Sequence, residues 1–187
     1  MRLFVAVDPD AGVRAALDEA LGRLRPLAPD ARWSKAEGMH LTLAFLGEVH
    51  EADAPAMGKA VEDAAAAAKP LRLHATGGGT FGSPAHPRVL WVGLHGDVAE
   101  LASLKDSLEA ALQPFGYAPD LRAFSPHLTL ARARHPRGDR NLVACAADLE
   151  RADLGWFTSD ELILYRSHLS PQGARYEALV RARLGRG

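Results

Sequence analysis

The chain reads as an α+β fold built from a duplicated unit: two lobes, each a small, mainly antiparallel sheet with helices packed outside. Three observations predict it. The tetrad His-Leu-Thr-Leu occurs twice, at residues 40–43 and 127–130. A short apolar run leads each copy, Leu3–Val7 and Val89–Leu94, at nearly the same offset as the tetrads themselves. Segments of helical spacing follow each leading run and each tetrad. One domain over residues 1–187 is therefore expected, with repeat units of about 3–88 and 89–184.

Leu3–Val7 has the length of a buried strand, and Asp8 or Asp10 can cap the helix after it. Val13, Ala16, Leu17, Ala20, Leu21 and Leu24 keep helical spacing until Pro26. Residues 26–39 read as a loop with an extended piece at Arg32-Trp33. The first tetrad strand runs from about His40 to Leu46, and a second helix from about Asp53 to Ala68. Leu71–Thr76 alternates weakly as a strand, and GGGTFGSPAHP is a loop by composition. Val89–Leu94 then restarts the unit. Asp97 can cap a helix carrying Val98, Leu101, Leu104 and Leu108. The second tetrad strand, a short helix at Asn141–Ala147 and strands near Phe157–Leu169 and Arg175–Leu184 complete the chain.

In a strand, successive side chains alternate faces. Strict alternation puts His40, Thr42 and Ala44 on one face and Leu41, Leu43 and Phe45 on the other. It likewise puts His127, Thr129 and Ala131 opposite Leu128 and Leu130. Chance predicts about 0.2 His-x-Thr pairs in a chain of this composition, so two with identical leucines mark a site rather than coincidence. Two imidazoles suit a reaction needing an acid on one side and a base on the other, because histidine titrates near neutrality. In-line cleavage of a phosphodiester is such a reaction, and threonine hydroxyls can bond the non-bridging phosphate oxygens. Neither tetrad has a second ligand at zinc spacing, so no metal or cofactor is expected.

The net charge of −1 argues against a long-footprint nucleic-acid binder but leaves room for a phosphate or an RNA end. Arg134, Arg137 and Arg140 read as a solvated basic loop rather than an RNA track. The single cysteine, Cys145, allows no internal disulfide and reads as a small core residue of a helix. No stretch is long enough to span a membrane, and the expectation is a cytoplasmic protein with no evident obligate protein partner.

Paired HLTL motifs, the opening RLFVAVDPD, and the stretches RWSKAEGMHLTLAFLGEV, RVLWVGL and FSPHLTLARAR resemble the 2H phosphoesterases. Within them the chain is similar to the RNA 2′,3′-cyclic phosphodiesterase branch, historically called 2′-5′ RNA ligase. The resemblance runs from Arg2 to about Leu184 and is thinnest at 80–88 and 134–142. It implies that both tetrad faces meet at a central cleft between the lobes. It implies as substrate an RNA end or small cyclic nucleotide, opened to a 2′-phosphate. It also implies His40 as general acid on the 3′ oxygen and His127 as general base on water; the near-identical tetrads alone do not assign these roles. Arg132 resembles the family's phosphate-contacting arginine, yet alternation puts it on the leucine face unless the strand bulges or ends there, with a surface salt bridge as the competing reading. Phe4, Trp33 and Tyr165 are candidates for stacking a base, with core packing as the competing reading. Two other functions are weighed: ligation by the reverse reaction, and a non-catalytic module that binds RNA ends.

Overall fold

The computed structural model describes residues 1–119, 122–170 and 173–185. Its elements in order are β1 (Arg2–Val7), α1 (Ala11–Leu24), β2 (Arg32–Trp33), β3 (Leu41–Glu48), α2 (Ala54–Ala66), β4 (Leu71–Ser83), β5 (His86–Gly96), α3 (Val98–Leu112), β6 (His127–Arg132), α4 (Asn141–Leu149), β7 (Asp153–Ser159), β8 (Glu161–Ser170) and β9 (Gly173–Arg183). The strands form two antiparallel sheets, ordered β3-β1-β8-β9 and β2-β6-β5-β4-β7. Among the described residues no helix is long and apolar enough to cross a membrane.

One core joins both sheets. Leu3, Val5, Leu41, Leu43, Leu162 and Leu164 from the first meet Leu73, Leu90, Val92, Leu128 and Leu130 from the second. The buried stripe Val13, Leu17, Leu21, Leu24 of α1 enters the same core, as do Leu101, Leu104 and Leu108 of α3. Each such side chain contributes about 1.5–3 kcal/mol by leaving water. Cys145 of α4 is buried there too, with Sγ 3.8 Å from the Leu24 carbonyl oxygen, and burial pushes its thiol up to about 11.

The sheets do not coincide with repeat units of about 3–88 and 89–184. β4, from the first half of the chain, lies between β5 and β7 in the second sheet. β8, from the second half, pairs with β1 in the first. Each half thus lends a strand to the other's sheet. The strand expected near Phe157–Leu169 is in fact two. β7 closes the edge of the second sheet, Asp160 carries the chain across, and β8 enters the first.

The glycine-rich stretch is not a loop. β4 continues through it to Ser83 and β5 begins at His86, so only Pro84 and Ala85 turn. Glycine is needed there for close approach. A Cβ on Gly79 would lie 2.5 Å from Cζ2 of Trp91, and one on Gly78 would lie 2.5 Å from Cβ of Leu149 in α4. Asp10 caps α1, accepting from the Val13 N–H at 2.9 Å. Asp97 does not cap α3 with its side chain; its carboxylate accepts from the Arg72 N–H at 2.8 Å instead.

Candidate active site

Both tetrad strands depart from strict alternation at the same place. In the β1–β3 pair, Val5 faces Ala44 and Ala6 faces Thr42, so Leu43 has no partner. In the β5–β6 pair, Leu90 faces Ala131 and Trp91 faces Thr129, so Leu130 has none. Each is a one-residue bulge, which flips the face of the residues that follow it, until in β3 a second shift leaves Leu46 unpaired as well. Ala44 and Ala131 accordingly lie in the core beside Leu43 and Leu130, not on the histidine face as alternation predicts. Phe45 and Arg132 turn to the histidine face instead. Phe45 lies opposite Phe4 and is 51% exposed, with the Arg2 guanidinium 4.9 Å over its ring. Arg132 is exposed on the same side as His127 and Thr129, so the bulge on which its expected role depended is present. On the other edge of β6, Arg32 of β2 pairs with Arg132, while Trp33 pairs with Ala131 and packs on the core.

The two histidines are held alike. His40 donates its Nδ1–H to the Gly38 carbonyl at 2.9 Å, and His127 donates its Nδ1–H to the Ser125 carbonyl at 2.7 Å. A carbonyl only accepts, so the proton must sit on Nδ1 and the tautomer follows. Each Nε2 is left to take or give a proton. Among the described residues the hydroxyls of Thr42 and Thr129 have no hydrogen-bond partner.

The surroundings differ. His40 stacks on Phe4 with ring centres 4.6 Å apart and takes the edge of Tyr176 at 5.0 Å. His127 takes the edge of Phe81 at 4.8 Å, with Trp91 at 6.4 Å. Desolvation by these walls pushes both imidazoles below the usual histidine range. For His40 the Gly38 bond and the Asp8 carboxylate oppose that fall, while the Arg14 charge adds to it. For His127 the Ser125 bond opposes it and the Arg132 charge adds to it, with no carboxylate acting. The register explains the contrast. Gly93 stands opposite His127. Carried one step past Val7–Leu41, the β1–β3 register sets Asp8 beside His40.

Asp8 is fixed from two sides. Its Oδ2 accepts from the Tyr165 hydroxyl at 2.8 Å and pairs with Arg14 at 2.9 Å. Arg14 also donates to the Ala36 and Glu37 carbonyls, each at 2.7 Å, and to Pro9 at 3.1 Å. The guanidinium therefore clamps the short turn at Ala36–Gly38 whose last carbonyl orients His40. Neither Asp8 nor Arg14 is a site candidate by motif or spacing, because only the fold brings them to His40.

The expected base-stacking residues are placed as follows. Trp33 lies on the core side and donates its Nε1–H to the Ala28 carbonyl at 2.9 Å, so it is not on the histidine face. Phe4 and Tyr165 are on that face but only 3% and 8% exposed, walling His40 rather than offering open rings. The open rings are Phe45, Phe81 and Tyr176. Composition hid Phe81 inside an apparent loop, and alternation put Phe45 on the wrong side. Among the described residues no three His, Cys, Asp or Glu side chains gather as a metal would need.

A family model described as LigT like Phosphoesterase matches the chain twice, over residues 7–91 and 92–176. The RNA 2′,3′-cyclic phosphodiesterase of Methanothermobacter thermautotrophicus is 30% identical over 94% of this chain and 95% of its own length. That of Thermus thermophilus is 32% identical over 96% and 88%. Among solved structures, one of a Thermus thermophilus protein superposes with a TM-score of 0.83 at 30% identity, covering 100% of this chain and 99% of its own. Escherichia coli LigT complexed with 3′-AMP superposes with a TM-score of 0.76 at 25% identity, covering 98% and 97%.

Proposed function

This chain belongs to the LigT-like phosphoesterase family, and on that premise we propose that it is an RNA 2′,3′-cyclic phosphodiesterase that opens cyclic phosphate ends to 2′-phosphates without a metal, through His40 as general acid and His127 as general base. The observation that carries this reading is the matched pair of Nδ1–H···O=C bonds, which leave two Nε2 atoms of defined tautomer on two equivalent tetrads.

The steps follow from the groups present. With both faces lining one cleft, the Nε2 lone pair of His127 takes a proton from water as its oxygen attacks phosphorus. The P–O3′ bond breaks in line, and the Nε2–H of His40 protonates the departing 3′ oxygen. A 2′-phosphate and a 3′-hydroxyl result, and solvent exchange returns each imidazole to its starting state. The hydroxyls of Thr42 and Thr129 bond the non-bridging oxygens as negative charge gathers there, and Arg132 adds a cation. The polarity has a physical source. Burial lowers both imidazoles; at His40 the Asp8 carboxylate works against burial and the Arg14 charge to favour the imidazolium, whereas at His127 the Arg132 charge adds to burial in disfavouring it. Phe45 and Tyr176 on one side, and Phe81 on the other, offer rings on which the terminal base can stack.

The test is a leaving-group comparison under chelation. His40→Ala and His127→Ala should each lose about 10²–10⁴ in rate on a 2′,3′-cyclic nucleotide. On a nucleotide nitrophenyl ester, whose leaving group needs no acid, His40→Ala should recover and His127→Ala should not. Thr42→Ala and Thr129→Ala should each cost up to about 10²–10³, and Thr42→Ser little. Activity abolished by EDTA and restored by zinc or manganese would overturn the mechanism; rescue of His127→Ala alone would reverse the two roles.

A further inference from the structure

Among the described residues Glu109 is the only charged residue that is buried. It lies on α3 one turn beyond Lys105, whose ammonium it meets at 2.5 Å, and the two side chains are 9% and 11% exposed. On a solvated helix face such a pair is ordinary. Out of water it carries a desolvation cost that two apolar residues would not. What else the pair holds explains its presence. The Tyr117 hydroxyl donates to the same Glu109 oxygen at 2.9 Å, and the Lys105 ammonium lies 5.6 Å from the centre of the Phe124 ring, within cation–π range. Both rings also pack on the core. After the chain leaves α3 at Leu112, positions 117 and 124 are thus each brought back to that helix.

Phe124 immediately precedes Ser125, whose carbonyl accepts from the His127 Nδ1–H at 2.7 Å. The residue after Ser125 is fixed as well: the Pro126 carbonyl accepts from the Leu94 N–H at 3.0 Å. The carbonyl that orients His127 is therefore held from both sides, by α3 through Phe124 and by β5 through Pro126. His40 offers the parallel, because Arg14 of α1 binds the Ala36 and Glu37 carbonyls just ahead of Gly38. The two helices hold corresponding places in the duplication, each between a leading strand and a tetrad strand. Their charged anchors differ: an arginine on carbonyls in one half, a lysine–glutamate pair on aromatic side chains in the other. Neither Lys105 nor Glu109 acts on the titration of His127, so their contribution is geometric.

We infer that the Lys105–Glu109 pair is the positioning device of His127: through Phe124 and Tyr117 it fixes the Ser125 carbonyl, and with it the tautomer and aim of the imidazole. The role of that imidazole as base rests on the proposed function; its tautomer does not. A neutral imidazole free of this bond is a mixture of two tautomers, and the form protonated on Nε2 has no lone pair there to take a proton from water. Loss of the pair therefore removes competent base while His127 itself stays in place.

The experiment replaces the pair by apolar residues of similar size, Lys105→Met together with Glu109→Leu, in the full chain. Exchanges of this kind for a buried ion pair commonly keep the fold. Nitrogen-15 NMR at about pH 8, where both imidazoles are neutral, reads each tautomer directly, with His40 as the internal control. The Nδ1–H form of His127 should fall from nearly the whole population to a mixture, and His40 should not change. On a 2′,3′-cyclic nucleotide kcat should fall about ten- to a hundred-fold with KM unchanged, because the imidazole remains but is misaimed. A purely structural role would move the urea midpoint and either both histidines or neither. A folded double variant with the His127 tautomer unchanged, or with His40 shifted as much, would overturn the inference. A tautomer shift with kcat unchanged would support the positioning and overturn His127 as base. If the double variant does not fold, Tyr117→Phe decides, since it removes the hydroxyl bond and leaves the ion pair. A smaller shift of His127 alone then supports the inference, and no shift overturns it. If the unmodified chain cleaves no cyclic phosphate, the proposed function fails, and the tautomer populations alone decide the positioning role.

Discussion

Among the groups that make the two histidines of identical tetrads unlike, only one is a carboxylate, and it sits on a neighbouring strand. Asp8 stands beside His40, and Gly93 occupies the matching place beside His127. Removing the Asp8 charge while keeping its shape therefore has a directional outcome. In Asp8→Asn the His40 imidazole loses a group that favours its protonated form, so its pKa, followed by NMR, should fall further while that of His127 stays. The alkaline limb of kcat/KM should move to lower pH with it. A His40 titration unchanged in Asp8→Asn would remove the electrostatic support for the acid role proposed for it. The unmodified chain has its own pH signature. Burial holds both imidazoles below about 6.5, and free-enzyme values govern kcat/KM, so that bell should lie on the acid side of neutrality. A bound phosphate anion favours imidazolium at both places, so the kcat bell should sit at higher pH than the kcat/KM bell. For stability the sign is the reverse of a salt-bridged histidine. A folded pKa below the unfolded one favours the neutral form, so the contribution is present above about pH 6.5 and lost as pH falls through the folded value. At this scale the tetrads were legible because His-x-Thr is local and repeated. Asp8 and Arg14 were not, because they reach His40 through strand register and a clamped turn.

At the scale of the element, the two bulges and the glycine run each reverse what local pattern implies. The unpaired Leu43 in β3 and Leu130 in β6 exchange the faces of the residues that follow them. Period-two reasoning consequently places Ala44, Phe45 and Ala131 on the wrong sides, and makes Arg132's side depend on a bulge that no residue in HLTLAR announces. The helices were easier: α1 and α3 bury stripes at the spacing that identifies them, and their boundaries moved by a few residues only. In β4, glycine stands where flatness is required, against the Trp91 ring and α4, and flatness has the same composition as a loop. Two glycines separate these meanings. A methyl group at Gly79 would meet the Trp91 ring at 2.5 Å, whereas nothing lies within 4 Å of one at Gly22 on the outside of α1. Gly79→Ala should therefore lower stability by about 1–3 kcal/mol through overpacking. Gly22→Ala should raise it by about 0.5–1 kcal/mol through helix propensity. Urea unfolding of the two variants checks both signs. Gly79→Ala should also disturb His127, since Phe81 and Trp91 lie within 5.3 Å of each other beside that ring.

For the whole molecule, the exchange of strands decides how the duplication can fold. The repeat was visible in the spacing of the tetrads, but spacing along a chain does not say which sheet receives the last strand of each unit. The first sheet needs β8 and β9 beside β1, and the second needs β4 beside β5. Helices follow the same exchange: α1, which leaves the first sheet, packs on β7 of the second, and α3, which leaves the second, touches β3 of the first. A chain cut between Pro84 and Ala85 thus yields two fragments, neither holding a complete sheet. Fragment 1–84 keeps β1 and β3 but lacks the strands that cover β1's other edge, and exposes the apolar face of β4. Fragment 85–187 keeps β5 and β6 but lacks β4, which joins β5 to β7. An isolated pair of strands is marginal in water. Each fragment alone should therefore show weak strand signal and no cooperative unfolding. Mixing them should restore a folded dimer of fragments with both histidine resonances near their positions in the intact chain, because the cut falls at a two-residue turn and every sheet regains its strands. A fragment 1–84 that unfolds cooperatively by itself would show that the lobes fold along the repeat boundary. Failure of the mixture to fold would instead place the covalent β4–β5 turn among the requirements for assembling the second sheet.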